Sequence, residues 1–194
     1  MRATAVCGII TLVVLGGLPP RLWAETPSQA LQATIDRLQS ALRDPNLGEE
    51  IRAQQVWDAV LTRVDLREMS KRILGSYWEA SGDQQEVFLA AFTAYLHRTF
   101  APKLATLTDA QLICREEAIQ GSRANVLTSV STSGEDVTIT FHMHQQGSAW
   151  TIYDVVVDNG RFSLVSNYRA QLQWILHTSS FEELLRVIRA KNAW

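Results

Sequence analysis

Cysteine is almost missing from this 194-residue chain, which holds only Cys7 and Cys114. Cys7 falls in an N-terminal stretch that reads as a leader, so the remainder has no intramolecular disulfide available even in an oxidising compartment. Cys114 reads as a small buried hydrophobe, because no histidine stands in an activating pattern near it. Equally absent are a phosphate-cradling glycine loop, a Cys-x-x-Cys pair and a His-Glu-x-x-His run. Ser129, Ser131, Ser163 and Ser166 lie in strand-like stretches rather than a Gly-x-Ser-x-Gly elbow, which leaves no case for a serine nucleophile. Positive charge is not in excess either. Without Arg2 and Arg21, 16 Lys and Arg stand against 20 Asp and Glu, a net charge of about −4 that argues against a nucleic-acid binder.

The first residues, MRATAVCGIITLVVLGGLPPRLWA, have the order of an export signal. Arg2 supplies the positive end, Ala3 to Leu18 the apolar run, and Leu22-Trp23-Ala24 a cleavage site before Glu25. Pro19-Pro20 ends the run short of the roughly 20 residues a membrane span needs. The expected organisation is a signal peptide over 1–24 and one domain over 25–194, a length that suits a single sizeable core.

Helical spacing dominates the first half of that domain. Thr26 with Pro27 opens a helix bearing Leu31, Ile35, Leu38 and Leu42, and Asp44 to Gly48 closes it. Ile51, Val56, Trp57 and Val60 continue a second amphipathic stretch. Asp65 with Glu68 makes a capping-box pattern before a third, which Gly75 and Tyr77-Trp78 close. Asp83 with Glu86 opens the longest pattern, which Pro102 is expected to kink or end. After Leu107 the texture turns to β: Ile113–Ala118, Asn125–Ser131, Val137–His144, Ala149–Asp158 and Phe162–Tyr168 are short runs between turn residues. A helix from about Gln171 and another behind Ser180-x-x-Glu183 finish the chain. The pattern predicts an α+β fold in which helices pack on one face of a curved antiparallel sheet of four to five strands.

Polar residues with chemical potential each have an ordinary reading beside a functional one. His142 and His144 share a strand face, but a metal needs at least a third ligand and the apolar set Val137, Ile139, Phe141 and Met143 claims the inner side. No metal and no cofactor is expected. Asp154 and Asp158, with Tyr153 and Tyr168, suit an acid/base pair in a cone-shaped α+β enzyme acting on a hydrophobic small molecule. The competing reading bonds these carboxylates to local backbone or to Arg169.

What is plentiful is large apolar side chains on several elements at once. Leu74, Tyr77, Trp78, Phe88, Phe92, Tyr95, Leu96, Ile139, Phe141, Trp150, Ile152, Val155, Val157, Leu164 and Tyr168 are the candidate lining of an apolar cavity between helices and sheet, with Asn167 and Arg169 at its mouth. Singly, each also fits ordinary core. A closed core without a void would instead suit an adaptor with no small ligand.

Three stretches resemble one family, the MlaC or toluene-tolerance proteins. They are VDLREMSKRILGSYW from Val64, SGDQQEVFLAAFTAYLHRTFAPKL from Ser81, and WTIYDVVVD from Trp150 followed by SLVSNYRAQ from Ser163. Order and spacing agree from Pro27 to Lys191. Two departures stand out: the Asp158–Phe162 turn is longer than the family's, and the segment between the first helix and Asp65 is compressed. The resemblance implies no enzyme but a monomeric periplasmic carrier that holds a phospholipid by its acyl chains. Its implied partners are an outer-membrane lipoprotein complex and the lipid-binding subunit of an inner-membrane ABC transporter. In a hopanoid-associated branch the cargo would be a hopanoid.

Overall fold

The computed structural model describes residues 25–105, 107–132 and 135–190. The expected signal peptide lies outside the described residues. Five helices come first: α1 (Pro27–Arg43), α2 (Glu49–Leu61), α3 (Leu66–Leu74), α4 (Ser76–Ala80) and α5 (Gln84–Ala105). A 3-10 turn, Leu107–Asp109, leads into strands β1 (Gln111–Gln120), β2 (Arg123–Thr132), β3 (Glu135–Gln146), β4 (Ala149–Val157) and β5 (Phe162–Ser163). Helices α6 (Leu164–Thr178) and α7 (Phe181–Ala190) close the chain. The strands pair antiparallel in sequence order as one open sheet, so the architecture is the expected α+β. No helix among the described residues is long and apolar enough to cross a membrane.

Local chemistry accounts for the boundaries. Thr26 Oγ1 accepts from Gln29 N at 3.2 Å while Gln29 Oε1 accepts from Thr26 N at 3.0 Å, a complete capping box ahead of Pro27. At α3 the box is half built. Asp65 Oδ1 accepts from Glu68 N at 2.9 Å, but the Glu68 side chain turns to Arg72 at 2.7 Å. Gly75 ends α3 at φ 60°, and a Cβ there would lie 2.9 Å from Gln173 Nε2 and 3.2 Å from Arg169 Nη2. Only glycine adopts that backbone without strain. Pro102 does not end α5, which runs on to Ala105.

The last expected strand is a helix for most of its length. Only Phe162 and Ser163 pair with β4; from Leu164 the chain is helical. Ser163 is the reason, since its Oγ accepts from Ser166 N at 3.0 Å and caps α6. Asp154 reinforces the start from the neighbouring strand. It is only 7 % exposed, its Oδ1 accepts from Val155 N at 2.8 Å and Val165 N at 3.0 Å, and its Oδ2 accepts from Ser163 Oγ at 2.6 Å. A carboxylate at a helix N-terminus meets both the unpaired amides and the positive end of the helix dipole.

Two apolar cores result. The larger joins α3, α4, α5, α6 and α7 around Phe88, Phe92, Tyr95 and Leu172. Phe92 stacks on Phe88 with centroids 5.5 Å apart and meets Tyr168 edge-on at 5.4 Å. The second lies under the sheet, where Leu31 and Ile35 of α1 pack on Val126, Met143, Trp150 and Ile152.

Replacing Asp154 by Ala removes the acceptor for three donors, two of them backbone amides. The expected loss is about 2–4 kcal/mol of folding stability, read by urea denaturation, with Ser163→Ala costing about 1 kcal/mol.

Candidate functional site

β4 carries the wall of the site because its alternation breaks once. Met143 pairs with Ile152 and His142 with Asp154, so Tyr153 is an extra, unpaired residue in the ladder. Such a bulge shifts the side-chain parity of everything after it. Ile152 before the bulge and Val155 and Val157 after it therefore face the same cavity. Asp154 turns to the other face and to α6. Tyr153 also stays off the wall, lying 5.6 Å from the His144 ring and under the guanidinium of Arg72 at 3.9 Å.

The backbone around the bulge is held from outside the sheet. Ile152 N donates to Arg63 O and Asp65 N donates to Ile152 O, both at 2.8 Å, so the α2–α3 link pairs with the β4 edge through Val64. His144 Nε2 and Asp65 Oδ2 sit 2.9 Å apart, and Gln146 also donates to that oxygen. His144 thus ties the sheet to the cap of α3, while His142 Nδ1 lies 3.9 Å from Asp154 Oδ2. No group of three or more His, Cys, Asp or Glu residues able to hold a metal occurs among the described residues.

Between the inner sheet face and helices α1, α2, α3 and α5 is a cavity of about 350 Å³. Its wall includes seven of the residues expected from sequence: Leu96, Ile139, Phe141, Ile152, Val155, Val157 and Leu164. The other eight lie elsewhere. Leu74, Trp78, Phe88, Phe92, Tyr95 and Tyr168 are buried in the helical core with Tyr77 packed against it, and Trp150 lies in the core beneath the sheet. The physical reason is that α5 turns its aromatic stripe towards α3, α6 and α7, and only Leu96, Phe100 and Leu104 reach the cavity. The hydroxyls of Tyr95 and Tyr168 meet at 3.2 Å within that core. Burial and this bond push the Tyr168 phenol far above its ordinary pKa.

Several wall residues escape the sequence reading as lining. Leu31, Ile35 and Leu38 of α1 and Trp57, Val60 and Leu61 of α2 face the cavity. Their helical spacing is visible in the sequence, but periodicity marks a buried face without showing whether side chains or empty space lie opposite. Cys114, beside α1, is half-buried, and burial together with Glu117 raises its thiol pKa.

Neither Asn167 nor Arg169 lines the cavity. Both are on α6, and Arg169 lies over Gly75 on the side of that helix facing α3. Of the lining residues Phe162 is the most exposed, at 44 %. Phe162 ends the Asp158–Phe162 turn, where Asp158, Asn159 and Gly160 all have positive φ. Asp158 N donates to Thr138 O at 3.0 Å, and Thr138 Oγ1 donates to Asn159 Oδ1 at 2.9 Å, which anchors the turn to β3. Neither acid considered as a catalytic base is on the wall: Asp154 caps α6, and the exposed Asp158 pairs with Arg161 at 3.3 Å. A broader groove of about 620 Å³ along α5 and α7, lined by Val87, Ala90 and Ala94, is a shallow surface feature away from these elements.

An antiparallel sheet packed over helices, with an apolar cavity between them, defines an α+β domain with internal space of the kind that takes an apolar ligand. The family model described as MlaC protein matches residues 30–190, and the chain belongs to the MlaC family. Among solved structures it is similar to the phospholipid-binding protein from Ralstonia solanacearum, determined in complex with a phospholipid. The TM-score is 0.75 at 20 % identity, over 87 % of this chain and 96 % of that one, a likeness of fold. No curated protein matches the sequence.

Wall and core residues are expected to separate in stability measurements. Phe92→Ala in the closed core costs about 3–5 kcal/mol, whereas Val157→Ala on the wall costs about 1 kcal/mol or less, because it removes fewer contacts. Guanidinium unfolding of the two variants checks the difference.

Proposed function

We propose that this protein is a periplasmic phospholipid carrier that encloses acyl chain in the cavity beneath β3 and β4 and leaves the head group in water near Phe162. The observation that carries the reading is the wall itself: of its residues only Thr34 and Arg63 bear a hydroxyl or a charge. Membership of the MlaC family and a fold shared with a protein solved around a phospholipid support it. The leader-like sequence before Glu25 supports export to the periplasm.

The physics of lipid transfer asks for such a wall and for no reacting group. Moving a diacyl lipid through water exposes some 30 methylenes at about 0.8 kcal/mol each, a barrier on the order of 20 kcal/mol. A carrier replaces that water with hydrocarbon, and the bound state need only match the bilayer in free energy. At about 30 Å³ per methylene, comparable to a water molecule, 350 Å³ takes about a dozen methylenes. One chain therefore fills the cavity, and the second remains outside it. In this reading the carrier exchanges its cargo with an outer-membrane lipoprotein complex and with the lipid-binding subunit of an inner-membrane ABC transporter.

Native mass spectrometry and lipid extraction of the protein purified from a membrane-rich bacterial host test the reading. The expected result is co-purified phospholipid in the wild type and its loss in Val155→Asp, which places a charge on the wall while circular dichroism still reports a folded chain. Lipid-free wild-type protein, or a folded Val155→Asp that still carries phospholipid, would overturn it.

A further inference from the structure

The helices and the sheet that enclose the cavity are fastened to each other on two sides by hydrogen bonds. Helix α1 is tied, from its first turn to its last, to the segment that runs from the 3-10 turn into β1. Ser28 N donates to Glu117 Oε2 at 2.6 Å, Gln39 Nε2 to Ala110 O at 3.1 Å and Arg43 Nε to Thr108 O at 3.4 Å. Towards the other edge of the sheet, the α2–α3 link holds β4 through both the amide and the carbonyl of Ile152. Arg63 joins the two fastenings, since its Nε donates to Thr34 Oγ1 of α1 at 3.0 Å and its Nη1 to Trp150 O of β4 at 2.9 Å. The helical layer and the sheet separate only if several of these bonds break together.

The space held in this way suits one acyl chain. Its 350 Å³ takes about a dozen methylenes, and a second chain of that length asks for as much again. The wall also has no free partner for a glycerophosphate among its hydroxyl and charged groups. Thr34 Oγ1 donates to Ala30 O at 3.1 Å and accepts from Arg63, whose guanidinium is in turn bonded to Trp150 O. The head group therefore stays in water, and so does any chain beyond the first. Each methylene taken from a bilayer and left in water lowers the equilibrium constant for extraction about four-fold. A single-chain lipid avoids that loss, because its tail passes from one apolar surrounding to another.

We propose that the cargo this cavity selects from a membrane is a lysophospholipid, a phospholipid with a single acyl chain, of about 12 to 14 carbons. The proposal rests on the phospholipid reading and narrows its substrate class.

The test is extraction at equilibrium. Vesicles of dimyristoyl phosphatidylglycerol holding a minor fraction of the myristoyl lyso form are incubated with the full mature chain, and native mass spectrometry reads the bound lipid. The expected result is one lysolipid per chain, enriched over the diacyl form by roughly 100-fold or more relative to the vesicles. When the lyso form is changed from myristoyl to stearoyl, the enrichment is expected to fall by roughly 100-fold, since the added methylenes find no wall. Protein that carries the diacyl form in proportion to the vesicles overturns this inference and leaves the phospholipid reading standing. An enrichment that does not fall with the longer chain overturns it as well. Protein that takes up neither form overturns both.

Discussion

One unpaired residue, Tyr153, organises the molecule. Because it sits in β4 without a partner on β3, the strand presents Ile152, Val155 and Val157 to one cavity, although a regular strand would send Ile152 and Val155 to opposite faces. The same shift turns Asp154 to α6, where it caps the helix, and leaves the Ile152 backbone free to bond Arg63 and Asp65. The wall and the contact of Asp154 with the start of α6 both depend on this inserted position. Bulges bend a strand and sharpen its twist, and this one lies where the sheet has to curl around its contents.

Edge closure has its own importance. An unpaired strand edge is a template for aggregation, and β4 meets this with β5 at one end and the Arg63–Asp65 segment at the other. That segment also leads into α3, so His144, Gln146 and the Asp65 cap connect sheet and helical core on the outer side. The cavity between them is framed by two separately packed cores. Such a frame can keep an apolar void open, since neither core depends on side chains that line it alone.

The sequence showed most of the secondary structure and less of the site. Capping residues Thr26, Asp65 and Ser180 were readable because a helix start is a local hydrogen-bonding event. Phe162 to Tyr168 read as strand because its apolar content suits either state; the helix there depends on Ser163 and on Asp154 from the preceding strand. The apolar stripe of α5 was visible too, but Phe88, Phe92 and Tyr95 face other helices, while Leu31, Ile35 and Trp57 face the void. Periodicity identifies a buried face and is silent about what lies opposite.

Composition and pattern by themselves determined an α+β chain with abundant apolar surface, no common nucleophile or metal motif, and a segment order resembling the MlaC family. These properties reside in residue identity and short-range spacing, which linear sequence records completely. The tertiary structure alone decided which apolar residues close on one another and which enclose space, that Arg169 rests on Gly75, and that Arg63 bonds Thr34 and the Trp150 carbonyl. Each of those depends on a long-range pairing, such as Ile152 with Arg63 or Asp154 with Val165, and on a bulge whose effect on parity appears only when strands are registered against each other.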